Sequence, residues 1–215
     1  MIRYSAQTIN NKDINSIKKV LKSDNLTQGP KVPEFEKRIS KYTKSKFCLA
    51  FNSASSALLA ACSALKLKKK DYIWTSPNTY VATANAIVLN NYKIDFVDIN
   101  LDTYNICLDL LEKKLIQAKK KKILPKAIIV VYIGGLPLDP IRLKKLSKKF
   151  KFKIIEDASH AIGSKYLGKK VGSCFWSDIS IFSFHPVKII TTGEGGCITT
   201  NNKGYFEHMK LFREN

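Results

Sequence analysis

Residues 127–156 read AIIVVYIGGLPLDPIRLKKLSKKFKFKIIE. The opening stretch, 127–133, is a short apolar run that reads as a strand. An amphipathic stretch follows over 140–150, with Pro140 at its start, and a second short apolar run follows over 153–156. Strand, helix and strand joined by short turns make the βαβ unit of a layered α/β sheet. Working outward, the same alternation predicts strands near 47–51, 71–75 and 94–97 and helices over 55–65, 79–91 and 108–118. Two further short strands are expected near 179–182 and 196–200.

Ahead of this core, Ile14, Ile17, Val20 and Leu21 share one helical face, as do Phe35, Ile39 and Tyr42. Two amphipathic helices therefore open the chain, joined by the turn Leu26-Thr27-Gln28-Gly29-Pro30. No internal repeat or low-complexity linker divides the sequence, so one domain is expected, with helices in 10–45 and an α/β core over 46–215.

Composition bounds the possible functions. A chain of 215 residues that is 45% hydrophobic can bury a sizeable core, which excludes a disordered tail or a disulfide miniprotein. The cysteines, Cys48, Cys62, Cys107, Cys174 and Cys197, are odd in number and contain no Cys-x-x-Cys pair, so neither a zinc site nor a disulfide framework is expected. A reducing, cytoplasmic setting and a soluble protein are the natural expectations, since the longest apolar run is far shorter than the ~20 residues of a membrane span. The formal charge of +20 raises the question of nucleic acid. However, 33 of the 37 basic residues are lysines, which are poor bidentate readers of bases, and runs such as 119–122 carry no interleaved aromatics. Solvated surface charge is the expectation, with a basic nucleic-acid binder as a competing class.

In open α/β sheets ligands gather beyond the carboxyl ends of the strands. Asn52-Ser53-Ala54-Ser55-Ser56-Ala57 follows the first predicted strand and opens an apolar helix, where backbone N–H groups and hydroxyls can cradle an anion. An ordinary serine N-cap reads equally well there. Tyr80, in Ser76-Pro77-Asn78-Thr79-Tyr80, offers a flat ring to the same crevice, although alone it reads as core. Asp157 ends the strand over 153–156, where burial of an acid requires a cationic partner or donors, and His160 lies within one turn of it. Lys188 follows the apolar strand 179–182, with Ser183 before it and the glycine-rich Thr191–Gly196 turn after it, a setting that can desolvate an amine and make it nucleophilic. Gly134-Gly135, after the central strand, reads as an allowance for tight packing. A phosphate cup, a stacking ring, a strand-end aspartate and an amine, in this order, suggest pyridoxal phosphate. The amine condenses with its aldehyde and the aspartate keeps its ring nitrogen protonated.

The segments SFHPVKIITTGEGG (183–196), LTQGP (26–30), FNSASSALLA (51–60), SPNTYVATANAI (76–87), SHAIGSKY (159–166) and MKLFRE (209–214) carry a resemblance to a known family. From Tyr4 to Arg213 the chain resembles the amino-terminal part of the DegT/DnrJ-type nucleotide-sugar aminotransferases, within the fold type I pyridoxal phosphate enzymes. It is most similar to those of pseudaminic acid biosynthesis. The resemblance implies a three-layer αβα domain with a mostly parallel sheet. It implies that Lys188 holds the cofactor covalently, Asp157 binds its ring nitrogen, Tyr80 and His160 flank the ring, and Ala54, Ser55 and Ser183 hold its phosphate. Tyr4, Asn25, Leu26 and Thr27 would line the sugar-nucleotide site, with His185 near the reacting centre.

By the same resemblance the reaction moves an amino group, from an amino acid such as L-glutamate, to a keto-sugar nucleotide of the UDP-4-keto-6-deoxy-N-acetyl-hexosamine kind, in a cytoplasmic homodimer with no metal, nucleic acid or membrane partner. Tyr132–Leu136 matches the family stretch only loosely. Members of this family are longer, so the resemblance also implies a fragment, split gene or truncated product lacking a small carboxy-terminal domain. An inactive partial enzyme or a family dehydratase are the alternatives. The dehydratases typically carry His where this chain has Lys188.

Overall fold

A computed structural model describes residues 5–214. The central element is the stretch quoted first: β4 (Ala127–Val131), α6 (Pro140–Phe150) and β5 (Lys153–Asp157). The two strands pair in parallel, Val131 opposite Asp157. All five residues of β4 are buried, and alternate ones serve different cores: Ile128 and Val130 on one face, Ala127 and Ile129 on the other. This is the two-residue period of a strand covered on both sides.

The remaining strands are β1 (Phe47–Phe51), β2 (Tyr72–Thr75), β3 (Lys93–Phe96), β8 (Ile179–Ser183) and β9 (Gly196–Thr200), with a small separate hairpin, β6 (Lys165–Tyr166) and β7 (Lys169–Lys170). The sheet has seven strands in the order β1-β9-β8-β5-β4-β2-β3. Only β9 runs against the rest, pairing antiparallel with both β1 and β8. Six strands therefore end at one edge of the sheet, and β9 begins there.

Two helical layers cover this sheet. Side chains from α2 (Lys31–Thr43), α5 (Leu108–Lys120) and α6, among them Ile39, Leu111, Leu115, Leu143 and Leu146, pack with Trp74, Ile154 and Phe182 on one face. On the other, α3 (Ala54–Ala64), α4 (Val81–Leu89) and α7 (Lys203–Glu214) bring Ala57, Ala60, Ala61, Ile87 and Met209 against Leu49, Ile73, Ile155 and Ile198. The buried residues of α3 are mostly alanines, which let this helix lie close to the sheet. The outcome is the expected three-layer αβα arrangement with a mostly parallel sheet.

Several expectations shift in detail. The strand predicted over 127–133 stops at Val131 because Gly134 adopts φ +61°, a turn rather than an extended backbone. The helix predicted over 79–91 begins at Val81, with Tyr80 as its N-cap, and gives way after Leu89 to Asn91 at φ +60°. Helix α1 (Asn11–Leu21) forms as expected, with a capping box between Asn10 and Asp13, but buries none of its residues. Ile14, Ile17 and Leu21 lie exposed along it. In α2, Phe35 and Ile39 face the core, whereas Tyr42 lies at the edge with Lys170 Nζ 3.4 Å from its ring centroid.

Candidate active site

The edge where six strands end opens into a cavity of about 510 Å³. Its walls come from every junction singled out in the sequence: Ser53, Ala54 and Ser55 after β1, Tyr80 after β2, Asp157 and His160 at the end of β5, and Ser183, His185 and Lys188 after β8.

At the β1–α3 turn, Ser53 is the N-cap, and its hydroxyl accepts from Ser56 N while its carbonyl accepts from Ala57 N. The N–H groups of Ala54 and Ser55 remain as the first-turn donors of α3, where the helix dipole favours an anion. The N-cap reading holds for Ser53, and the N–H groups that follow it are compatible with the reading as an anion cup. Gly196 is required here, because a Cβ on it would overlap the backbone of Ser53 and Ala54. Ser183, opposite Gly196 in the β8–β9 ladder, brings its buried hydroxyl to the same wall.

Asp157 is 4% exposed. One carboxylate oxygen accepts from Thr83 Oγ1 at 2.7 Å, and the other from Ser159 Oγ at 2.6 Å and Ser159 N at 3.2 Å. Among the described residues no cationic side chain forms an ion pair with it. Of the cationic partner or donors that its burial requires, the chain itself supplies neutral donors. Thr83 sits one helical turn after Tyr80, on the same face of α4. Neither Thr83 nor Ser159 was singled out in the sequence, although Ser two residues after a strand-end Asp is an Asx-turn signal.

Lys188 projects from the loop between β8 and β9. That loop is tied to Phe184, whose carbonyl accepts from Thr192 N and Thr191 Oγ1 and whose N–H donates to Gly195 O. The buried Phe184 ring packs edge-on against Phe35 at 5.4 Å, anchoring the loop in the core. Lys188 Nζ lies 2.7 Å from His160 Nε2. Burial lowers the Lys188 amine from its ordinary value, and Asp157 opposes this. Burial, then the neighbouring Lys188, lowers the His160 imidazole, again against Asp157. Such perturbed groups facing one crevice make it the candidate functional site.

Tyr80 is 74% exposed on the cavity wall, so its reading as core is corrected: it is the N-cap of α4 and lies at the surface. His185 is half-exposed, with Nδ1 accepting from Val187 N and Nε2 3.9 Å from Glu194 Oε1. Gly134 and Gly135 do more than permit packing. Both have positive φ, and a Cβ on Gly135 would strike the His160 carbonyl. Leu26 and Thr27 do not reach the cavity; they line a separate open groove with Glu36, Asn52, Phe212 and Arg213. Asn25 belongs to the same turn, packed against Gly29, and Tyr4 lies outside the described residues. Among the described residues no group of His, Cys, Asp or Glu could hold a metal ion, and no helix is long and apolar enough to cross a membrane.

Residues 7–215 match the model of the DegT/DnrJ/EryC1/StrS aminotransferase family. A UDP-4-amino-4,6-dideoxy-N-acetyl-beta-L-altrosamine transaminase of Campylobacter jejuni is 46% identical over 213 residues, covering 99% of this chain and 55% of the relative. Among solved structures, Helicobacter pylori PseC, an aminotransferase involved in the biosynthesis of pseudoaminic acid, superposes with a TM-score of 0.91 at 37% identity, over 98% of this chain and 55% of that one. NtdA from Bacillus subtilis, solved with bound cofactor PMP, gives a TM-score of 0.81 at 29% identity, over 94% of this chain and 45% of its own. The chain spans about half the length of the relatives it matches.

Proposed function

The chain belongs to the DegT/DnrJ/EryC1/StrS aminotransferase family, and from that premise we propose that it moves an amino group from an amino acid, L-glutamate in the first instance, to a keto-sugar nucleotide by means of pyridoxal phosphate. The similarity to an altrosamine transaminase and to PseC supports a UDP-4-keto-6-deoxy-N-acetyl-hexosamine as acceptor. The single observation that carries the cofactor reading is Asp157: a buried carboxylate facing a cavity, satisfied by neutral donors and lacking an ion-pair partner among the described residues. A protonated ring nitrogen is the partner this arrangement accepts. The rest of the lining fits the group as well, with an amine at Lys188, helix N–H donors at Ala54 and Ser55 with the Ser183 hydroxyl for a phosphate, and the Tyr80 ring for a planar face.

Bound there, pyridoxal phosphate would supply an aldehyde carbon for amine exchange and a ring that takes up negative charge. The chain's residues do the remainder. Lys188 would hold the group through its amine and, as a free amine, would serve as the base that takes the proton from the donor's Cα. Asp157 would face the ring nitrogen and hold a proton there, and its hydrogen bonds from Thr83 and Ser159 fix the orientation of its carboxylate. Ala54, Ser55 and Ser183 hold the phosphate, Tyr80 covers the ring, and His160 orients the amine. His185, at the mouth beside Glu194, reaches toward the sugar.

Of the residues proposed for the sugar nucleotide, Leu26 and Thr27 lie on a neighbouring groove, with Asn25 in the same turn, so this reading requires the nucleotide to extend from the cavity onto that surface. A second subunit is part of the proposal. Tyr80, Val81, Val88 and Leu89 leave an apolar surface exposed along α4, beside the cavity. A reducing compartment such as the cytoplasm is part of the same proposal.

The test is covalent trapping. Protein incubated with pyridoxal phosphate and reduced with borohydride is expected to carry the label on Lys188 in peptide mapping. Label spread evenly over surface lysines would remove the proposal.

A further inference from the structure

His160 Nδ1 lies 3.3 Å from the backbone nitrogen of Gly134, and His160 Nε2 lies 2.7 Å from Lys188 Nζ. A backbone N–H can only donate, so Nδ1 must accept. In a neutral imidazole the ring proton then sits on Nε2, which becomes a donor toward Lys188. An ammonium has three donors and no lone pair and cannot accept that proton; only a neutral amine can. We infer that the Gly134 N–H fixes the tautomer of His160, and that His160, as a positioning residue, holds the Lys188 amine as an unprotonated hydrogen-bond acceptor before it meets an aldehyde. This rests on the reading of Lys188 as the cofactor-bearing amine and adds what sets its protonation.

The backbone explains why the contact exists. Gly134 (φ +61°) and Gly135 (φ +83°) turn the chain after β4 so that it meets the turn after β5, where a Cβ on Gly135 would collide with His160 O. Ser164 Oγ donates to Gly135 O at 2.6 Å and closes the junction. The two glycines bring a backbone donor to an imidazole 26 positions away. The charged and titratable groups around the amine oppose one another. Asp157, at the end of β5, favours the ammonium, whereas burial favours the free base. His185 and Glu194 of the β8–β9 loop and Tyr80 at the start of α4 line the same cavity. The His160 donor tips this balance toward the amine, whose lone pair can add to a carbonyl without first losing a proton.

The experiment uses the chain without cofactor. Trace labelling with acetic anhydride across pH 6–11, read by peptide mapping, gives the half-labelling pH of Lys188 beside those of surface lysines. His160→Gln brings an acceptor within reach of an ammonium. It is expected to raise the half-labelling pH of Lys188, by about 0.5–1 unit, with the surface lysines unmoved. No change, or a fall, would overturn the inference, because a histidine that accepts from an ammonium would give the opposite sign. A second readout needs no variant: ¹⁵N–¹H correlation spectra of the wild-type imidazoles are expected to show His160 protonated at Nε2, and protonation at Nδ1 would overturn it equally. If borohydride trapping misses Lys188 while the labelling shifts as expected, only the cofactor reading fails. If trapping succeeds and the labelling does not shift, only the relay fails.

Discussion

Glu156 and Asp157 are adjacent acids at the end of β5, each about 5% exposed or less and each hydrogen-bonded only to neutral groups, yet they belong to different parts of the molecule. Glu156 points to the face covered by α2, α5 and α6. There it accepts from Tyr132 Oη at 3.0 Å and from Ser180 Oγ, in a closed polar cluster with Ser177 and Cys174. Burial pushes its carboxyl above the ordinary range, against the hydrogen bonds from Ser180 and Tyr132. The same enclosure pushes the Cys174 thiol up to about 12. Asp157 points the other way, into the open cavity beside Lys188 and His160. Burial and donor count do not separate the two acids. The two-residue period of the strand does, since it decides which carboxylate meets a ligand and which meets the core.

The strongest way to break this contrast is to neutralise the acid that faces the cavity. Asp157→Asn keeps an acceptor for its donors but loses the charge opposite the ring nitrogen. Amino transfer is expected to fall by at least about 10²-fold and pyridoxal phosphate affinity by about 10–100-fold, the range of a hydrogen bond to a charged group. Thermal unfolding without cofactor should change little. Isothermal titration and stopped-flow turnover check this, and near-normal turnover would mean that another group protonates the ring.

The mirror experiment is Glu156→Ala, which leaves the Tyr132 and Ser180 hydroxyls without their acceptor inside the protein. The expected loss is about 1–3 kcal/mol of unfolding free energy in urea titration, with pyridoxal phosphate affinity within about twofold of wild type. A large loss of affinity with intact stability would reverse the assignment of the two faces.

Much of this was legible in the sequence, because the fold is written in local periodicities. The continuous run 127–133 and the helical stretch 140–150 are each decipherable without neighbours, and Lys188 and Asp157 stand out by the strands that precede them. What could not be read is relational. The β6–β7 hairpin turns through Leu167 (φ +45°) and Gly168, and leucine gives no turn signal where asparagine would. Helix α7 is identifiable only through the contact of Met209 with α3, although its MKLFRE segment carried the family resemblance. Tyr80 by itself reads as core and only within the set of junctions as a stacking ring; its position as an N-cap, which no residue type announces, puts it at the surface. The Gly134–His160–Lys188 chain joins the ends of three strands, and no spacing along the sequence encodes that.

The smallest effect is also the one that tests the contrast most finely. Glu156 has a folded-state pKa raised above its unfolded value, so the folded protein binds its proton more tightly than the unfolded chain does. By linkage, this proton stabilises the fold fully below the unfolded pKa, near 4.5, and the contribution disappears as pH rises through the folded value. Glutamine resembles the protonated acid in shape and carries no titrating group. Glu156→Gln is therefore expected to lie within about 1 kcal/mol of wild type, and its stability relative to wild type should rise from pH 4 toward pH 7. Urea midpoints at pH 4, 5, 6 and 7 give the slope. A variant that instead loses ground as pH rises would show that the cluster of Tyr132, Ser180 and Ser177 depresses the Glu156 carboxyl. The enclosed acid would then be held as an anion, as the proposed function requires of Asp157 on the opposite face.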